Sequence, residues 1–183
     1  PHAAEGRTTT VTVVAGALPG AGTPLPPPPE SWASQPEGDV AIWTLHLAPG
    51  ARWTLPAARG QGTRRMLYWF AGQGLQMGGA ALPGQAAYEV VAAHGWELVN
   101  TGSTAVECLL LQGRPLGEPV AQYGPFVMNT QQEIMQAMMD YRRTQFGGWP
   151  WPEPDPVHGP EPRRFARYPG QTAEELPTPA PAT

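Results

Sequence analysis

The sequence predicts an all-β domain, an antiparallel barrel or jelly roll, followed by one helix and an extended Pro-rich tail. Three observations predict it. Apolar stretches up to residue 128 are short, alternate with period two or are β-branched, and are separated by turn residues. Gly (22) and Pro (24) are frequent among the 183 residues and only 14% are charged, which favours turns over long helices. A helical apolar period appears once, after residue 130. With no helical pattern ahead of it, a parallel βαβ arrangement has no crossover helices to use.

Each element follows from its residues. Residues 1–8 read as a linker, and "TTVTVVA" (Thr9 to Ala15) is a β-branched strand. Residues 20–38 are a Pro- and Gly-rich loop. Pro24 to Pro29 carries a PxxP pattern, read as plain extended loop ahead of a ligand for a recognition domain. "VAIWTLHL" (Val40 to Leu47) alternates, with Ala41, Trp43, Leu45 and Leu47 on one face. "APGARWTLP" gives a turn and short strand, and "RRMLYWF" (Arg64 to Phe70) another strand. "LQMGG" and "ALPGQ" are short pieces between turns. Tyr88 to Val91, Trp96 to Val99 and Ala105 to Leu111 complete about eight strands, within a β-domain bounded at 9–128.

The helix is assigned to 129–147. Asn129 and Thr130 can cap it, and Thr130 with Glu133 forms a T-x-x-E capping box. Ile134, Ala137, Met138 and Tyr141 fall at i, i+3, i+4 and i+7 on one apolar face. Arg142 and Arg143 suit the negative end of the dipole, and Gly147-Gly148 stops the helix. Met135, Met138 and Met139 read as a flexible packing surface. Residues 148–169 have Pro at nearly every second position and Trp149, Trp151, Phe165 and Tyr168 along them, which reads as an extended strap pinned by aromatics. Residues 170–183 are small, polar and Pro-rich and are expected to be disordered.

Composition excludes several functions. The net charge is −4 and the eleven Lys and Arg residues form no basic stripe, so direct nucleic-acid binding is not expected. Arg59, Arg64 and Arg65 are read as a solvated loop and strand end. No apolar run approaches the roughly 20 residues of a membrane-spanning helix, and no charged-then-apolar leader opens the chain. An intracellular protein is expected. The chain begins on Pro1 rather than Met, so residues are expected ahead of it. The single cysteine, Cys108, lies in the apolar run "AVECLLLQG" and reads as a buried, inert thiol.

The run "GRPLGEPVAQYGPFVMNTQQEIMQAMMDYRRTQFGGWPWPEPDPVHGPEPRRFA" resembles the C-terminal half of pirins. The Y-G-P-F-V-M-N-T core (Tyr123 to Thr130), the helix, and the strap from Trp149 to His158 carry the resemblance. "TTVTVVAG" and "LAPGARWTLP" are looser matches, and the likeness extends over roughly residues 8 to 169. It implies a cupin-type barrel that is the second half of a bicupin. In that family two jelly rolls stand face to face, and iron sits in the first, on three His and one Glu. Some members are quercetin 2,3-dioxygenases, and one acts as a nuclear co-regulator of transcription.

A cupin metal site takes two imidazoles from an H-x-H pair, because alternate residues of a strand project together. A Glu and a third His come from neighbouring strands, leaving open positions for substrate or O₂. Aligned from Gly50, the H-x-H positions hold Pro56 and Ala58. Aligned from Gly95, the last His position falls near Ala105. Between Ala51 and Tyr88 there is no His, Asp, Glu or Cys. His2, His46, His94 and His158 have no ligand spacing among them. No G-x-S-x-G elbow or phosphate loop is present. This chain is therefore expected to hold no cofactor, with iron only in the N-terminal cupin ahead of it, and no catalytic residue is assigned.

The function expected is a non-catalytic C-terminal cupin packing on that N-terminal cupin, within a quercetin 2,3-dioxygenase-like parent. The alternative is a stand-alone metal-free cupin serving as a structural or regulatory subunit. The candidate docking residues are Tyr123, Phe126, Ile134, Met138, Tyr141, Trp149 and Trp151, and the partner is the N-terminal cupin domain or another protein subunit.

Overall fold

The computed structural model describes residues 2–4, 7–149, 151–154, 165, 166, 168, 170 and 172–176. The chain divides into two units, Pro1–Gly117 and Glu118–Thr183.

Period-two alternation builds the first unit. One antiparallel sheet contains β1 (His2–Ala4), β2 (Arg7–Ala15), β3 (Ala41–Leu47), β5 (Arg64–Ala71), β8 (Ala87–Glu89) and β10 (Val106–Gly113). A second contains β4 (Arg52–Leu55), β6 (Leu75–Met77), β7 (Ala80–Ala81) and β9 (Trp96–Asn100). Their orders are β1-β2-β3-β10-β5-β8 and β4-β9-β6-β7. Sequence-distant neighbours in both sheets are the mark of a jelly roll. β10 is the organising strand: Leu110 stands between Trp43 and Leu67, and Cys108 between Leu45 and Trp69. The inward side chains of both sheets join in one core that includes Trp43, Trp53, Leu55, Trp69, Leu75 and Leu98. Where β5 turns towards β6, Gly72 has φ 82°, and a Cβ there would lie 2.0 Å from the Ala105 carbonyl oxygen. Only glycine allows that approach.

The Pro-rich connection between β2 and β3 is mostly irregular, with 3₁₀ turns at Trp32–Ser34 and Pro36–Gly38. The Trp32 indole donates to the Arg114 carbonyl at 2.9 Å. Residues 1–8, expected as linker, instead contribute β1 and the start of β2. Thr8 to Thr10 are β-branched, and Thr9 is fully buried, so the strand begins earlier than composition suggested.

In the second unit β11 (Ala121–Tyr123) and β12 (Phe126–Met128) form a hairpin. Its two-residue turn places Gly124 at φ 55°, the positive-φ corner such turns require. Helix α1 (Gln131–Thr144) follows, with a short 3₁₀ turn at Gln145–Gly147. It is shorter than the 129–147 expected. Thr130 lies outside it as the N-cap and Asn129 one residue before, and Gln145 already stands at φ 52°. Ala166 and Glu175 exchange backbone hydrogen bonds at 2.8 and 2.9 Å, linking the stretches expected as strap and tail. His158 and most of that strap lie outside the described residues. No helix among the described residues is long and apolar enough to cross a membrane.

Candidate interaction surface

Large apolar side chains occupy the interior of the first unit. Trp43 and Trp53 meet edge to face with centroids 6.5 Å apart, and the inward positions around them are Leu45, Leu55, Leu67, Trp69 and Leu110, all buried. Pro56, Ala58 and Ala105, the residues at the ligand positions of the cupin motifs, carry no donor atom in their side chains. His46 and His94 are exposed. Among the described residues no three His, Cys, Asp or Glu side chains gather. The donor set does not fit an iron held by three His and one Glu. Cys108 is 1% exposed, and burial pushes its pKa up to about 12, which makes it a poor nucleophile.

One inward position differs from the sequence reading. Arg65 was expected to be solvated, yet it is 2% exposed. It occupies the same face of β5 as Leu67 and Trp69, so strand alternation carries it inward. Its Nε donates to Gln112 Oε1 at 2.9 Å, its Nη2 to the same oxygen, and its Nη1 to the Pro56 carbonyl at 2.7 Å. Gln112 Nε2 in turn donates to the Asp39 carbonyl at 3.0 Å. The Asp39 carboxylate accepts from Thr63 Oγ1 at 2.7 Å and Gly60 N at 2.9 Å. Burial lowers the pKa of Arg65, and the charge of Asp39 opposes that shift. A guanidinium solvated by neutral oxygens thus lies against the backbone of Pro56, one of the degenerate ligand positions.

The second unit carries the exposed apolar surface. Nine of the eighteen exposed large apolar side chains among the described residues lie between Val120 and Trp151, so this stretch is the place to look for a contact. Local chemistry fixes its frame. Thr130 Oγ1 accepts from Glu133 N at 3.2 Å, and Glu133 Oε2 accepts from Thr130 N at 2.7 Å. Asn129 Nδ2 also donates to Glu118 Oε2 at 2.7 Å. At the other helix end Asp140 accepts from Arg143 and Gln136, and these bonds hold its pKa below the usual carboxylate value.

The seven candidate docking residues divide by exposure. Tyr123 (62%), Tyr141 (43%), Trp149 (57%) and Trp151 (37%) are exposed. Phe126 and Met138 are half-buried. Ile134 is 2% exposed, so it belongs to the chain's own packing and is withdrawn from any contact surface. Phe126, Tyr141 and Phe146 form a triangle of edge-on rings with centroids 5.3 to 6.2 Å apart. Trp149 and Trp151 form a second pair at 4.7 Å. Sequence reasoning missed Phe146 and Val127 as exposed groups. Met135 and Met139, read with Met138 as a packing surface, are exposed, whereas Met138 is half-buried.

The pirin C-terminal cupin domain model matches residues 42–147. The chain belongs to that family. The pirin-like protein of Solanum lycopersicum is 52% identical over 48 residues, 26% of this chain and 16% of its own length. Pirin of Homo sapiens is 56% identical over 39 residues, 21% of this chain and 13% of its own. Among solved structures, a quercetin 2,3-dioxygenase from Acinetobacter baumannii superposes with a TM-score of 0.58 and 27% identity, covering 76% of this chain and 44% of that one. The chain thus spans under half the length of these three relatives. The pirin C-terminal cupin is the jelly roll described above, with the helix of the second unit inside the matched range.

Proposed function

We propose that this chain is the non-catalytic C-terminal cupin of a pirin-like protein and packs on an N-terminal cupin that holds the metal. The observation that carries the reading is the apolar interior. Where the cupin motifs place ligands, this chain has Pro56, Ala58 and Ala105, and an arginine cation is seated against Pro56. A divalent cation beside a fixed guanidinium, with no carboxylate or imidazole at the motif positions, is electrostatically disfavoured. The likeness to 44% of a quercetin 2,3-dioxygenase chain supports a parent of that kind, in which the remaining length would supply the first barrel. The exposed rings of Tyr123, Tyr141, Trp149 and Trp151 support a docking role, since Trp and Tyr anchor protein contacts.

The test compares the chain alone with the parent protein containing both halves. Elemental analysis after dialysis, with oxygen uptake in the presence of quercetin, should find metal and turnover only in the parent. One tightly held metal per chain, or turnover by the chain alone, would overturn the reading.

A further inference from the structure

The Pro-rich connection between β2 and β3 lies ahead of the family match at 42–147 and is not used by the docking reading. Thr23 to Pro29 reads "TPLPPPP". Each of its residues is a proline or precedes one, which drives the backbone to the polyproline II conformation. That helix has three residues per turn, so positions three apart share a ridge. The exposure pattern has this period. Pro24 and Pro27 are half-buried, while Leu25 and Pro28, and Pro26 and Pro29, are exposed. One ridge is seated on the body and two face solvent, Leu25 at 60%.

The segment is mounted at both ends. Leu18 is buried on its N-terminal side. On its C-terminal side the Ser31 and Ser34 hydroxyls donate to the carbonyls of Pro28 and Pro29, each at 2.6 Å, and Trp32 is tied to Arg114. The carbonyls of Leu25, Pro26 and Pro27 accept no hydrogen bond among the described residues. Glu30 follows at once and is exposed. Such a segment offers two apolar ridges, free carbonyl acceptors and a charge at one end, with most of its ordering already done. Aromatic-lined grooves that read polyproline II helices use these features, and the acidic end sets the direction of entry when the groove carries a basic residue.

We propose that Thr23 to Glu30 is a presented polyproline ligand for a partner protein with an aromatic-lined groove and a basic residue at one end of it. This goes beyond the docking role of the second unit and does not depend on it. The test titrates the full chain into ¹⁵N-labelled SH3, WW and EVH1 domains, one of each class. Saturable shifts confined to the aromatic groove of at least one domain are expected. The variant Pro26→Ala/Pro29→Ala removes exposed residues only and leaves the core intact, so the chain should stay folded, with thermal unfolding lowered slightly by the freer unfolded loop, while its affinity falls at least tenfold. Glu30→Gln should weaken binding several-fold and flatten its salt dependence. Absence of groove shifts with all three classes would overturn the proposal, as would unchanged binding by Pro26→Ala/Pro29→Ala. Self-association of the chain that this variant abolishes, without any domain present, would make a second copy the occupant and overturn it too.

Discussion

Three inward side chains of the first unit give the sharpest tests. Trp43 is 2% exposed and packs edge-on against Trp53. Trp43→Ala should cost about 3–5 kcal/mol in denaturant titration, whereas a loss under about 1 kcal/mol would mean the ring does not fill the core. Arg65 depends on Gln112 for two of its hydrogen bonds. Gln112→Leu should therefore cost about 1.5–3 kcal/mol, the range for hydrogen bonds to a charged group; a neutral result would mean water reaches the guanidinium. Cys108 stands at a pKa of about 12 against its ordinary 9.0. Above the unfolded value the unfolded chain loses its thiol proton while the folded chain keeps it, so this group's stabilising contribution is full below pH 9 and falls between pH 9 and 12. A thiol reagent at pH 8 should leave Cys108 untouched in the folded chain and label it fully in denaturant. Of these three, Trp43 and Cys108 were legible from alternation and an apolar run. The burial of Arg65 was not, because the groups that solvate it stand 47 and 9 residues away and meet it only through strand pairing.

Local elements were read from sequence wherever their signals were local. The T-x-x-E box at Thr130 and Glu133 exists in the structure as both reciprocal bonds. Thr130→Ala should destabilise the helix by about 0.5–2 kcal/mol, seen as faster exchange of the Glu133 amide, which donates to the Thr130 hydroxyl; unchanged exchange there would show that packing, not the cap, holds the first turn. The helix end was harder. Gln145 and Phe146 both stand at positive φ, 52° and 50°, ahead of Gly147 and Gly148. The glycines suggested the stop, but the chain turns two residues earlier, where Phe146 joins the rings of Phe126 and Tyr141. Ring packing outweighs a conformational cost of roughly 1–2 kcal/mol per residue. The hairpin of β11 and β12 went unread because its three-residue strands are too short for a period to show, and only the Gly124-Pro125 turn marked it.

For the whole molecule, the surface left over after folding is what bears on function. The chain packs its core with its own side chains, yet it leaves Tyr123, Tyr141, Trp149 and Trp151 in solvent, and Tyr and Trp are residue types enriched where proteins meet. The chain on its own should therefore be prone to associate, and the N-terminal cupin of the proposed parent should suppress this. Hydrogen exchange with and without that cupin separates docking from an intrinsic role. The Thr130 and Glu133 amides are held by the capping box and should exchange slowly in both states. The informative amides run from Met138 to Gly148, beside the Phe126, Tyr141 and Phe146 rings. Protection of these amides on adding the N-terminal cupin would support the docking role. Unchanged exchange would mean that the helix and its rings serve only their own unit, and the docking role would be dropped.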